Sequence, residues 1–124
     1  MGNDDCFVQP EIVRLPLSDG RYIDIKKELT AYEQRHSFAG LVKEMRAGEK
    51  VMLDPEKVGF TKVMAYLLGW SFTQHGQPVE VNEGAVNTLQ PKLYKEIVDA
   101  INAHEEQIDA EREARKNETA GTLA

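Results

Sequence analysis

A chain of 124 residues is sized for one hydrophobic core, which excludes a second large domain. Its 41% hydrophobic and 29% charged content lies in the globular range, so a wholly disordered chain is excluded as well. With 21 acidic against 15 basic residues the formal charge is -6, a field that repels a phosphate backbone and argues against nucleic acid as a partner.

The lone cysteine, Cys6, rules out an internal disulfide, and His36, His75 and His104 lie too far apart in sequence to give a zinc-ligand spacing. No metal or cofactor is therefore expected. The opening Met1-Gly2-Asn3-Asp4-Asp5 has no basic segment followed by an apolar run, and no stretch approaches the roughly 18 apolar residues of a membrane span. Neither a secretory leader nor a membrane partner is expected. Residues 1-10 read as a flexible arm, 11-115 as a single α+β domain, and 116-124, which mix Asn, Thr, Gly and Ala without periodicity, as a disordered tail.

The first elements read as a hairpin. Val13, Leu15 and Leu17 alternate with Arg14 and Pro16, and after Ser18-Asp19-Gly20 the alternation resumes at Ile23 and Ile25. A two-residue loop would set Leu15 against Asp24. A three-residue loop instead pairs Leu17 with Arg21, Leu15 with Ile23 and Val13 with Ile25, keeping the apolar set on one face, so the longer loop is expected. It calls for a type I turn followed by a left-handed residue, a conformation that Gly20 takes without a Cβ penalty. Pro16 cannot donate a ladder hydrogen bond, which places the first strand at a sheet edge.

Thr30 and Glu33 have capping-box spacing, and Phe38, Leu41, Val42 and Met45 follow at helical intervals, predicting a helix from about Thr30 to Arg46. It is expected to end at Ala47-Gly48. After a short link through Val51 and Leu53, Asp54-Pro55 opens a second helix, read as running to about Trp70 with a stripe of Phe60, Val63, Met64, Leu67 and Leu68 continued by Trp70 and Phe72. No charge occurs between Val63 and Phe72. Thr73 to Pro78 reads as a turn and Val79-Glu80-Val81 as an extended link. Asn82 caps a brief helix reaching Leu89, and Pro91 opens a long one in which Tyr94, Ile97, Ile101, His104 and Ile108 step by three and four. That helix is assigned to 91-115, its far part solvated because it is almost entirely Glu, Gln, Asp, Arg and Ala. The fold class expected is thus α+β and mainly α-helical: an N-terminal β-hairpin packed on a small helical bundle, with a long C-terminal helix.

Catalytic equipment does not assemble. Ser18, Ser37 and Ser71 lie in no nucleophile elbow, no phosphate-cradling glycine pattern occurs, and no histidine has convergent partners, so no enzyme is expected. Two apolar runs suggest binding instead. Phe60, Met64, Leu67, Leu68, Trp70 and Phe72 are candidate contacts for another polypeptide, weighed against the needs of the core, which has only nine aromatic residues to draw on. Ile101, His104 and Ile108 form a seam expected to outrun the chain available to cover it, which suits self-association or partner docking.

The order of landmarks resembles a family. Leu15-Pro16-Leu17-Ser18-Asp19-Gly20-Arg21-Tyr22-Ile23-Asp24-Ile25-Lys26 is followed by Lys27-Glu28-Leu29-Thr30-Ala31, then Leu53-Asp54-Pro55-Glu56 with Val58-Gly59. Ala65-Tyr66-Leu67-Leu68-Gly69-Trp70-Ser71-Phe72, Gly76-Gln77-Pro78-Val79 and Ala103-His104-Glu105-Glu106 complete the layout. This layout resembles the tail assembly chaperones of long-tailed, non-contractile (siphovirus-type) bacteriophages, over roughly residues 11 to 116. Gln90 before Pro91 departs from the Asp usual there, leaving that helix start less well capped. The resemblance implies a non-catalytic protein in the cytoplasm of the infected bacterial host, binding the tape-measure protein and recruiting tail-tube subunits. The alternatives are a structural virion protein, such as a tail-tube or head-tail joining subunit, and a small regulatory binding protein.

Overall fold

A computed structural model describes residues 6–43 and 55–123, with side chains described in 6–37 and 55–115. Its sheet begins with β1 (Ile12–Pro16) and β2 (Tyr22–Lys26), paired antiparallel with Val13 opposite Ile25 and Leu15 opposite Ile23. The register is the one that keeps apolar residues together: Ile23 and Ile25 are fully buried, and Val13, Leu15 and Leu17 pack against them. Leu17 N–H donates to Arg21 C=O at 2.8 Å, which closes the expected three-residue loop.

The turn itself differs from the type I form expected. Asp19 (φ 58°) and Gly20 (φ 73°) are both left-handed, and Arg21 N–H donates to Ser18 C=O at 3.2 Å. These are the marks of a type I′ turn with an extra residue before it, so that Leu17 and Ser18 together oppose Arg21. Aspartate tolerates this region better than most residues because its short polar side chain hydrogen-bonds locally.

A third strand, β3 (Leu67–Trp70), completes the sheet on the other side of β2, in the order β1-β2-β3. β1 is thus an edge strand, as Pro16 requires. The second helix, α2 (Pro55–Tyr66), ends four residues before the expected boundary at Trp70. The reason is tertiary: Ile23 and Asp24 of β2 take Trp70 and Gly69 as partners, and a charge-free apolar run satisfies a strand as well as a helix. The pairing jumps from Asp24–Gly69 to Ile25–Leu67, leaving Leu68 as the extra residue of a bulge.

The first helix, α1 (Ala31–Lys43), starts on the anticipated capping box. Thr30 N–H donates to Glu33 Oε1 at 3.0 Å and Glu33 N–H donates to Thr30 Oγ1 at 3.1 Å. Its expected extension to Arg46, the stop at Ala47-Gly48, the stripe Phe38, Leu41, Val42 and Met45, and the Asp54 cap lie outside the described residues or side chains. Beyond β3, Thr73–Gln74 (β4) and Gln77–Pro78 (β5) pair across His75 (φ 52°) and Gly76 (φ 77°), a second turn with two left-handed residues. Residues 79–81 belong to no helix or strand, and Asn82 caps α3 (Glu83–Asn87), its side-chain oxygen accepting from Ala85 N–H at 2.8 Å.

The last helix, α4 (Pro91–Leu123), has 33 residues, a length of about 50 Å at 1.5 Å per residue. Helical backbone thus covers 116–123, part of the tail expected to be disordered, and the helix passes the expected end at 115, in keeping with the helix-forming Glu, Ala, Lys and Arg that lead into it. One core joins these parts: Ile23 and Ile25 from the inner sheet face, Val63, Tyr66 and Leu67 from α2 and its exit, Val86 from α3, and Ile97 and Ile101 from α4. The architecture is α+β, with the sheet, α2 and α3 closing over one stripe of α4.

Candidate interaction surface

The structure divides the nine expected contact residues into three groups. Leu67, Ile101, His104 and Ile108 are buried within the chain, and for these the partner-contact expectation is corrected. Leu67 and Ile101 belong to the main core, whereas His104 and Ile108 are covered by the segment after β2: His104 Nε2 lies 2.7 Å from the carbonyl oxygen of Lys27, and Ile108 shares a small cavity with Leu29 and Tyr66. Because a carbonyl only accepts, the ring must carry its proton on Nε2. Phe60 and Met64 are half-buried and pack on the core. Leu68, Trp70 and Phe72 line surface depressions, and these three mark two separate surfaces.

The first surface is a groove of about 560 Å³ on the outer side of the sheet, where Leu68 meets Val8, Pro10 and Ile12. Leu68 is 44% exposed because the bulge turns the extra residue out of the sheet. Ile12, at 69%, has the strand parity opposite to Val13 and Leu15 and so points away from the core. Phe7, just before the groove-lining arm, is 75% exposed. The flanking charges are paired: Lys26 with Glu33, and Lys27 with Glu11. The Lys26 ammonium, with Thr30 N–H, holds the Glu33 carboxyl below the usual carboxylate range. Alongside, Asp24 binds the Arg14 guanidinium through both oxygens at 2.8 and 3.1 Å and is likewise lowered, with Arg14 lying 3.8 Å from the centroid of the Tyr22 ring.

The second surface is a cleft of about 650 Å³ between the β4–β5 hairpin and the start of α4. Trp70 and Phe72 form one wall, their ring centroids 4.9 Å apart, and Val79, Leu89 and Leu93 contribute further apolar lining. The wall is fixed by Trp70 Nε1–H donating to Val79 C=O at 2.7 Å and by Val79 N–H donating to Phe72 C=O at 3.3 Å. Among the described residues, Arg21 is the one charged residue lining it.

Sequence reasoning missed Ile12, Leu89, Leu93 and Arg21 as surface-forming residues. Ile12 was detectable as the out-of-phase apolar residue of its strand, and Leu93 as a leucine adjoining Tyr94 but off the buried stripe that Tyr94 begins. The tyrosines divide as well: Tyr32 is surface-exposed and stacks on His36 at 5.8 Å, whereas Tyr66 is buried and donates its hydroxyl proton to Glu105 at 2.9 Å. Burial, with the Glu105 carboxylate second, pushes the Tyr66 hydroxyl well above the usual tyrosine range. Glu105 also pairs with Lys62 at 2.6 Å.

Among the described residues no cluster of His, Cys, Asp or Glu is arranged to hold a metal ion, and no helix is long and apolar enough to cross a membrane. No family model matches the chain, and no similar curated protein or solved structure was found.

Proposed function

We propose that this chain is a non-catalytic binding protein, a tail assembly chaperone of a siphovirus-type phage. It acts in the cytoplasm of the infected host, holding the tape-measure protein and recruiting tail-tube subunits. The observation that carries the reading is Leu68: a bulge uses a strand position to put a leucine on the surface, in the groove it shares with Val8, Pro10 and Ile12. Exposed apolar groups gathered on one face mark contact with another polypeptide, and a shallow groove suits contacts that are made and later exchanged. The family resemblance over residues 11 to 116 supplies the identity of the partners.

The test is co-expression with fragments of the tape-measure protein and with the tail-tube subunit from the same genome. A chaperone co-purifies with the tape-measure fragment, keeps it in the supernatant, and is missing from finished virions. Failure to bind either protein, or retention in purified virions at subunit stoichiometry, overturns the proposal, the second outcome favouring a structural virion protein.

A further inference from the structure

We infer that the Trp70–Phe72 cleft is a docking site for a partner segment that presents an apolar side chain flanked by carboxylates. This deepens the binding role proposed above and rests on it. Shape and lining come first. The cleft is walled by two aromatic rings, Trp70 held through its indole N–H by the Val79 carbonyl and Phe72 through its own backbone carbonyl by Val79 N–H, and Val79, Leu89 and Leu93 extend the apolar lining. Ser71, Thr73, Gln74, Thr88 and Gln90 provide neutral polar groups. An anchor side chain in such a lining, with polar groups around it, is the usual form of a peptide-binding hot spot.

Charge then selects the occupant. The protein carries a formal charge of -6, yet among the described residues no carboxylate lines the cleft, and Arg21 does. The outer-sheet groove is the opposite case, with Glu11, Glu28 and Glu33 against Lys26. Two carboxylates lie near Arg21. Glu96 is engaged by the Ser18 backbone and hydroxyl, and Asp19 stands 3.6 Å from the guanidinium in a solvent-exposed pair. An exposed pair of this kind is weakly held, so Arg21 exchanges Asp19 for an incoming carboxylate at little cost. Complementary charge at the rim sets which sequence is accepted, while the apolar anchor supplies the affinity.

Trp70 is the sole tryptophan of the chain, so its emission reports occupancy of the cleft directly. Two short synthetic peptides with the same Leu-Phe pair, one flanked by glutamates and the other by lysines, are titrated into the full chain at low salt. The acidic peptide shifts Trp70 emission saturably and binds about fivefold tighter than the basic one. Arg21→Gln removes that preference, and Leu93→Gln weakens both peptides, with melting curves confirming that each variant is folded. Equal affinity for the two peptides, no emission change with either, or a preference that survives Arg21→Gln overturns the inference. So does a concentration-dependent emission shift without peptide that coincides with a dimer in sedimentation, which assigns the cleft to a second copy. Capture of a tape-measure fragment is scored separately. Its loss with peptide selectivity intact removes the chaperone reading and leaves the cleft, and the reverse result removes only the cleft.

Discussion

Ser18 gives both its backbone N–H and its hydroxyl proton to the Glu96 carboxylate, at 3.0 and 2.9 Å, so one side chain of α4 holds the β1–β2 turn across 78 positions of sequence. The extra residue before the turn matters here, because it frees the Ser18 N–H from the ladder. Those two donors hold Glu96 below the usual carboxylate range. A carboxylate lowered by folding adds stability at neutral pH, and that stability is lost as pH falls through its folded value, below the ordinary Glu range. Ser18→Ala is expected to lower the urea midpoint at pH 7 and to lose most of its effect in strong acid. Urea melts of both proteins from pH 7 to pH 2 check this, and a difference that does not change with pH contradicts the latch.

The buried seam and the exposed bulge give opposite expectations for the same substitution. Ile101 is fully buried between the sheet and α2, so Ile101→Asp places an unpaired charge in the core and costs more than about 4 kcal/mol, whereas Ile101→Val costs about 1 kcal/mol. Leu68→Asp, on an exposed residue, is expected to change stability by less than about 1 kcal/mol while abolishing capture of the tape-measure fragment. Circular dichroism melts and the co-purification assay separate the two effects. Retained folding of Ile101→Asp, or unimpaired capture by Leu68→Asp, goes against the assignment.

Local chemistry was legible in the sequence wherever a few residues determine the geometry. The hairpin register follows from keeping Val13, Leu15, Ile23 and Ile25 on one face, and the capping box from the Thr30–Glu33 spacing. Asn82 and Pro91 mark helix starts by the same local logic. The stretch Leu67 to Trp70 was not legible, because a charge-free apolar run has no period with which to distinguish helix from strand; the missing information is its pairing with β2, some 45 residues away. The seam Ile101, His104 and Ile108 was placed on the right helix face, but its cover was unknown. That cover depends on the path after β2, where Lys27 meets His104 and Leu29 nears Ile108.

The second hairpin offers a stabilising substitution. His75 is left-handed ahead of Gly76, in a two-residue loop of the kind that favours Asn-Gly. His75→Asn is expected to gain about 0.5 kcal/mol, by relieving a conformation that a bulkier side chain tolerates poorly, and Gly76→Ala to lose about 1 kcal/mol. Thermal melts of the two variants provide the check. A neutral or destabilising His75→Asn indicates that the imidazole has a role of its own at this turn.

Tyr66 is expected to make the fold sensitive to alkali. Burial and the adjoining Glu105 carboxylate keep its hydroxyl protonated in the native state, with its pKa well above the ordinary tyrosine value near 10. Above pH 10 the unfolded chain releases this proton while the native chain retains it. Unfolding is therefore increasingly favoured as pH rises toward the folded value, whereas below pH 10 the group contributes no pH dependence. Tyr66→Phe removes that slope. It also removes one donor from Glu105, which still has Lys62 at 2.6 Å, so the variant is expected to be about 1 kcal/mol less stable at pH 7. Its stability then falls less steeply than wild type between pH 10 and pH 11.5 in urea melts. Parallel alkaline slopes for the two proteins would show that Tyr66 ionises in the folded chain as freely as in the unfolded one.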